Sequence, residues 1–296
     1  MATTEPVLPY AWNSALDPTA NILRLMAQPQ FPAAARALAA VTLDGTDSNP
    51  GLATVFKDAG RYVAAMWTLY LHAGGGMTLP QLKQICASSG YVSPGRARLL
   101  LQVLEHIGFV RPVPPQPGQR ARAYVPTPAF ITAWCGHLVA AIRAAALIEP
   151  GIAIVADRLN EPALFQAFLR IQAARLHALA ASQTEIPPFQ RVFMHRYAGN
   201  MVSALFLVSD AGQEFPCEAP MPIRLNLVAA RFGVSHLHIR RMLNDAMKAG
   251  LLDYGGAGTV TLSPEMRMTM RFFSAAQLVE LIASATLTLA EAEATR

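Results

Sequence analysis

Ten polar side chains have the types and spacing to grip something that is flat, anionic or both. They are Arg96, Arg98, Gln102, Arg120 and Arg122 in one stretch, and His236, His238, Arg240, Arg241 and Asn244 in another. A guanidinium forks onto guanine or a phosphate and a carboxamide pairs with adenine, so the set suits the edges and backbone of double-stranded DNA. Carboxylates, by contrast, are scattered, and no glycine-rich loop after a strand, HExxH or Cys/His ligand spacing occurs. That pattern argues against an enzyme and against a bound metal or cofactor. His236-Leu237-His238 puts two imidazoles next but one on a helix, where they point apart.

The elements that must carry the first set are legible between Thr78 and Phe130. Thr78-Leu79-Pro80-Gln81 fits an N-cap with a capping-box residue, and Leu82, Ile85 and Cys86 supply the apolar face of a short helix. Ser88-Ser89-Gly90-Tyr91 breaks it. Ser93 then caps a second helix with Pro94 at its first position, and Ala97, Leu100, Leu101, Leu104 and Ile107 recur at helical spacing up to Gly108. A Pro/Gly-rich tip separates Phe109-Val110 from Arg120-Ala121-Arg122-Ala123-Tyr124-Val125, which alternates as a strand does. Two capped helices joined by a turn, followed by a hairpin, make a winged helix-turn-helix.

A second copy lies near Met221 to Met266. An offset of 142 aligns Ser93 with Ser235, Ala97 with Ile239, Leu100 with Met242, Leu101 with Leu243, Leu104 with Ala246 and Gly108 with Gly250. Upstream the offset becomes 143, bringing Leu82, Ile85 and Gly90 onto Leu225, Val228 and Gly233. Downstream the second hairpin is shorter by six, so Thr127-Pro128 meets Ser263-Pro264. The offset changes only in the turn and the hairpin tip, where chain length is tolerated.

Composition agrees with two helical heads on a shared core. Of 296 residues, 53% are hydrophobic and 15% charged, so much helix surface must pack on other helices. Net charge is +5 and unevenly placed: 8 basic against 2 acidic residues between Gly51 and Phe130, and 9 against 6 between Ile186 and Phe273. The remainder is net negative, so the positive charge concentrates in the two heads, as phosphate attraction requires. Arg143, Glu149 and Pro150 interrupt one apolar stretch and Glu280 another, which argues against a membrane span. No basic residue precedes Arg24, unlike a secretory signal, and Cys86, Cys135 and Cys217 form no CxxC. Both point to the cytoplasm.

The expected layout is an N-terminal arm with short helices over 1–50, a first half over 51–150, linking helices over 151–185 and a second half over 186–296. Aromatics such as Trp67, Tyr70, Trp134, Phe193, Tyr197, Phe206, Phe272 and Phe273 sit on the flanking helices. They suit core or interface packing, or a cleft for a small aromatic effector.

The first half resembles the MarR family of bacterial transcription regulators. Gly118-Gln119-Arg120-Ala121-Arg122-Ala123-Tyr124-Val125-Pro126-Thr127-Pro128-Ala129 is similar to that family's wing, an Asp-x-Arg followed by a strand and a Leu-Thr-Pro-Ala helix start. The resemblance implies that Arg120 reaches into the minor groove, although Gly118 stands where the family's aspartate would be. The second half keeps Leu262-Ser263-Pro264 and has Gly256 at the arginine position. Family members are usually homodimers, so two fused heads imply an intramolecular pseudo-dimer, acting as one chain or as a homodimer of it. The expectation is therefore a mostly α protein with two β-hairpin wings on a long-helix core. It would be a transcription regulator reading the major groove with helices 93–107 and 235–249. The alternative is a winged-helix protein-interaction or ligand-sensing module in which one or both heads no longer bind DNA.

Overall fold

In the computed structural model, which describes residues 18–88, 92–114, 121–181, 186–209, 214–255 and 258–294, the chain is mostly helical with two three-stranded antiparallel sheets. Helices α1 (Pro18–Met26), α2 (Phe31–Ser48) and α3 (Pro50–Val55) come first. A first unit follows: α4 (Ala59–Ala73), β1 (Met77–Thr78), α5 (Leu79–Ser88), α6 (Pro94–His106), β2 (Val110–Val113), β3 (Ala123–Pro126) and α7 (Pro128–Ala145). Next come α8 (Ala153–Arg158) and α9 (Pro162–Ala181). The second unit is α10 (Gly199–Val208), β4 (Met221–Pro222), α11 (Leu225–Phe232), α12 (His236–Lys248), β5 (Leu252–Tyr254), β6 (Thr259–Leu262) and α13 (Pro264–Ala294).

The two units share local chemistry bond for bond. Ser93 accepts the backbone N–H of Arg96 at the start of α6, and Ser235 accepts that of His238 at the start of α12. Each of these helices ends on a left-handed glycine, Gly108 (φ 74°) and Gly250 (φ 70°). The following N–H folds back five residues, Phe109 to Leu104 O and Leu251 to Ala246 O. The chain then leaves each hairpin through the same tie, Thr127 N–H to Phe109 O and Ser263 N–H to Leu251 O. Strand orders β1-β3-β2 and β4-β6-β5 are equivalent. Tyr124 pairs with Met77 and Pro112, and Val260 with Met221 and Tyr254. The capping box at Thr78 forms as its spacing predicts, with Thr78 N–H donating to Gln81 Oε1 at 2.9 Å.

Outside these units the structure departs from the sequence-based layout. Residues expected in an arm of short helices include α2, an 18-residue helix whose Phe31, Ala34, Ala35, Ala39 and Leu43 are buried. Alanine favours helix and lets neighbouring backbones approach, so a segment with few bulky residues still forms a core element. Moreover, α1–α2 and α8–α9 are counterparts. An offset of 130 places buried Ile22, Leu25, Ala34, Ala35, Ala39 and Leu43 on buried Ile152, Val155, Leu164, Phe165, Leu169 and Ala173. Their packing is reciprocal. Helix α2 packs on α7 of its own half and α10 of the other, while α9 packs on α13 of its own half and α4 of the other. In the same way α1 lies on α13 and α8 on α7. Each half thus lends a helix pair to its neighbour.

By length and composition, α7 and α13 could each cross a membrane. The interruptions at Glu149 and Pro150 fall beyond the end of α7, which carries Arg143 as its one Asp, Glu, Lys or Arg residue. In the fold both are core helices, with 39% and 56% of their most apolar stretches buried.

Candidate nucleic-acid interface

The buried stripes of α6 (Ala97, Leu100, Leu101, Leu104) and α12 (Ile239, Met242, Leu243, Ala246) decide which residues project outwards. At 3.6 residues per turn, the ridge opposite the stripe carries Gly95, Leu99, Gln102 and His106 on α6, and Leu237, Arg241, Asn244 and Lys248 on α12. Arg98 and its counterpart Arg240 lie on the same flank of that ridge, both exposed. Gln102 and Asn244, two amides at one repeat position, are exposed and half-buried respectively. His236 is exposed at the first turn of α12, and Arg122 is exposed with its guanidinium 5.7 Å from the Tyr124 ring centre. Arg120, Gly118 and Gly256 lie outside the described residues.

Arg96 and His238 do not project with the others. Arg96 Nη2 lies 2.7 Å from Asp58 Oδ1, a carboxylate whose side chain is only 3% exposed and which also caps α4 by accepting the Arg61 N–H. His238 Nε2 meets Tyr197 O at 2.7 Å. Both side chains reach back to the segment before the first helix of their unit, so they fix the tilt of α6 and α12. Spacing alone could not show this, because the third residue of a helix can turn outwards or towards the preceding element.

Those two anchors meet. Lys57 Nζ donates to Tyr197 Oη at 2.9 Å, and the Lys57 and Arg61 cations lie 4.6 and 5.1 Å from the Tyr197 ring centre. Asn200 donates to Phe56 O across the same junction. Here the backbone is constrained: Ala198 adopts φ 62°, and a Cβ on Gly199 would stand 2.1 Å from Phe193 O. Burial holds His195 below its ordinary value, the Arg96 charge acts in the same direction, and Asp58 opposes both. The first turns of α6 and α12 are therefore tied to one polar junction, through Lys57, Asp58 and Arg61, which the sequence did not single out, and Tyr197, which it offered only as a packing aromatic.

Behind the first unit, Phe56, Tyr62, Trp134 and His137 form an aromatic cluster, with ring centres 4.6 Å apart for Phe56 and His137 and 5.0 Å for Tyr62 and Trp134. Trp134 Nε1 and His137 Nδ1 are buried with no hydrogen-bond partner among the described residues. Burial lowers the His137 imidazole to about 4 and pushes the Tyr62 hydroxyl well up, so both are neutral at pH 7. The Cys86 thiol is pushed up to about 12 by burial, which leaves it protonated and poorly nucleophilic. Among the described residues no group of three or more His, Cys, Asp or Glu side chains gathers in metal-binding range.

Compared with known proteins, the chain matches no family model, no curated protein and no solved structure.

Proposed function

We propose that the chain is a DNA-binding transcription regulator in which two winged helix-turn-helix heads, built as an intramolecular pseudo-dimer, read one duplex. The observation that carries this reading is the matched exposure of Arg98 with Arg240, and the equivalent placement of the amides Gln102 and Asn244, on two capped helices in equivalent βααββ units. Arginine forks onto guanine and an amide onto adenine, and a helix presenting both, four residues apart, suits a major groove. Arg111 and Arg122, exposed on the first hairpin, add backbone attraction, as does Arg120 of its tip in sequence. The reciprocal exchange of α2 and α9 supports the pseudo-dimer, because symmetric partners make the same contact twice. Two buried polar atoms of the aromatic cluster without a hydrogen-bond partner among the described residues, the donor Trp134 Nε1 and the ring nitrogen His137 Nδ1, suit a small aromatic effector carrying polar atoms.

Fluorescence anisotropy of labelled genomic duplexes, including the region upstream of the coding sequence, tests this reading across salt concentrations. Saturable binding that weakens log-linearly with salt is expected. Absence of binding at 50 mM salt, about the lower end of the range over which such affinities are compared, would overturn it.

A second reading has one specific observation in its favour. Leu99 and Leu237, 61% and 47% exposed, sit on the outward ridges of α6 and α12, and Leu227 on α11 is 60% exposed. Apolar residues there suit a protein partner as well as thymine methyl groups.

A further inference from the structure

The two outward ridges are not electrostatic equals. Along α12, Arg241, Asn244 and Lys248 line a cleft of about 330 Å³ together with Asp245, His238 and Arg196, the last contributed by the segment before α10. Three cations face one carboxylate. Asp245 is engaged with Arg196, whose Nη1 lies 2.7 Å from Asp245 Oδ2, whereas Arg241 and Lys248 are exposed and have no ion-pair partner among the described residues. The cleft therefore presents a net positive charge beside an amide donor, with the Arg196–Asp245 pair as its wall.

The first unit has nothing comparable. At the corresponding positions of α6 stand Arg96, already bound to Asp58, then Leu99, Gln102, Val103 and His106. Its charge lies instead on the hairpin, and there the second unit is reversed: exposed Arg111 corresponds to exposed Asp253, and Arg122 to Gly258. A phosphate is thus attracted to the hairpin in one unit and repelled from it in the other, while the helix cleft shows the opposite preference.

We propose that this cleft is a phosphate-binding site, occupied by a backbone phosphate of the DNA, which replaces the wing as the anchor of the second head. The site rests on the DNA-binding reading above. Arg241 and Lys248 supply the charge, and Arg196 a second guanidinium once the phosphate competes with Asp245 for it, while the Asn244 amide at the cleft edge stays available to a base. Contacts of this kind fix the register of the helix in the groove and carry no sequence information. Arg240, on the flank, is left to touch bases.

The test compares the full chain with the R241A/K248A double variant in anisotropy titrations of two unrelated duplexes, one preferred and one arbitrary, at several KCl concentrations. Both side chains are exposed, so thermal denaturation should show the same fold. Loss of this phosphate contact flattens the slope of log K against log salt by about 0.9, equally on both duplexes, and D245N tightens binding to both. An unchanged slope in a variant that still binds DNA would overturn the proposal. A second arm titrates inorganic pyrophosphate into the full chain and the double variant. If the parent ignores DNA but binds pyrophosphate, and the variant does not, phosphate recognition in the cleft stands and the DNA reading falls. If the parent binds neither, both fall.

Discussion

Arg96 is bound to Asp58 at 2.7 Å, and at the equivalent place in the second half His238 is bound to Tyr197 O, also at 2.7 Å. One structural job, tying the first turn of α6 or α12 to the base of its unit, is done by an ion pair in one half and by an imidazole–carbonyl hydrogen bond in the other. Because Lys57 joins Tyr197 to the Asp58 side, the two helices are set by a single polar junction.

That junction gives a stability prediction. Asp58→Ala removes an N-cap and strands the partly buried Arg96, and it should destabilise the chain by about 2–3 kcal/mol. Arg96→Ala should cost less, about 1 kcal/mol, since the remaining carboxylate keeps its bonds to Arg61. Chemical denaturation of both variants measures this. Equal stability in Asp58→Ala and the parent would show that the pair is incidental.

The exposed arginines on the flanks of α6 and α12 should behave differently. Arg98→Ala and Arg240→Ala should each weaken binding to a preferred duplex by about 1–3 kcal/mol with little change in melting temperature. Competition titrations with base-substituted duplexes check whether the loss is confined to particular base pairs. A loss spread evenly over all sequences would make these arginines backbone contacts.

Protonation of buried histidines sets the acid limit of the fold. His137 ordinarily titrates near 6.5 and falls to about 4 when buried, and His72 and His195 are lowered by the same cause. A folded-state pKa below the unfolded one means that the unfolded chain binds protons first. Stability is then fully present above about pH 6.5 and declines as pH falls towards about 4. Thermal melts between pH 8 and 4 should show this decline, and His137→Phe, which keeps the aromatic packing without the proton site, should flatten it. A variant with the parent's pH profile would contradict the assignment.

Much of this architecture was legible and some was hidden for physical reasons. The βααββ units could be read because caps, glycine stops and buried stripes recur at fixed offsets, and Ser93, Gly108, Ser235 and Gly250 do what their positions demand. The duplication of α1–α2 in α8–α9 could not. Ala34, Ala35 and Ala39 stand where α9 has Leu164, Phe165 and Leu169, so burial is retained while residue size is not. Self-comparison sees identity, whereas a core requires only that volumes add up. Among the candidate contact residues, Arg98, Gln102, Arg240 and Arg241 are exposed as expected, while the inward turn of Arg96 and His238 depends on partners 38 and 41 residues away.

The helix exchange predicts that the halves cannot live apart as monomers. Fragments cut near 149 separate α2 from α10 and α9 from α4, exposing the faces of α2 and α4 in one fragment and of α9 and α10 in the other. Each should aggregate, remain unfolded or form a homodimer, and mixing the two should restore one stable particle. Light scattering decides it. Two folded, monomeric fragments would contradict the shared core.

The central claim, two reading heads on one duplex, is tested most directly by selecting bound sequences from a pool of randomised duplexes and footprinting the winners. Enrichment of one motif with two half-sites in inverted orientation is expected. Both should be protected by a single chain, and protection of the first half-site should be selectively lost in Arg98→Ala and of the second in Arg240→Ala. No enrichment over the starting pool, or a single protected half-site unaffected by either substitution, would contradict it.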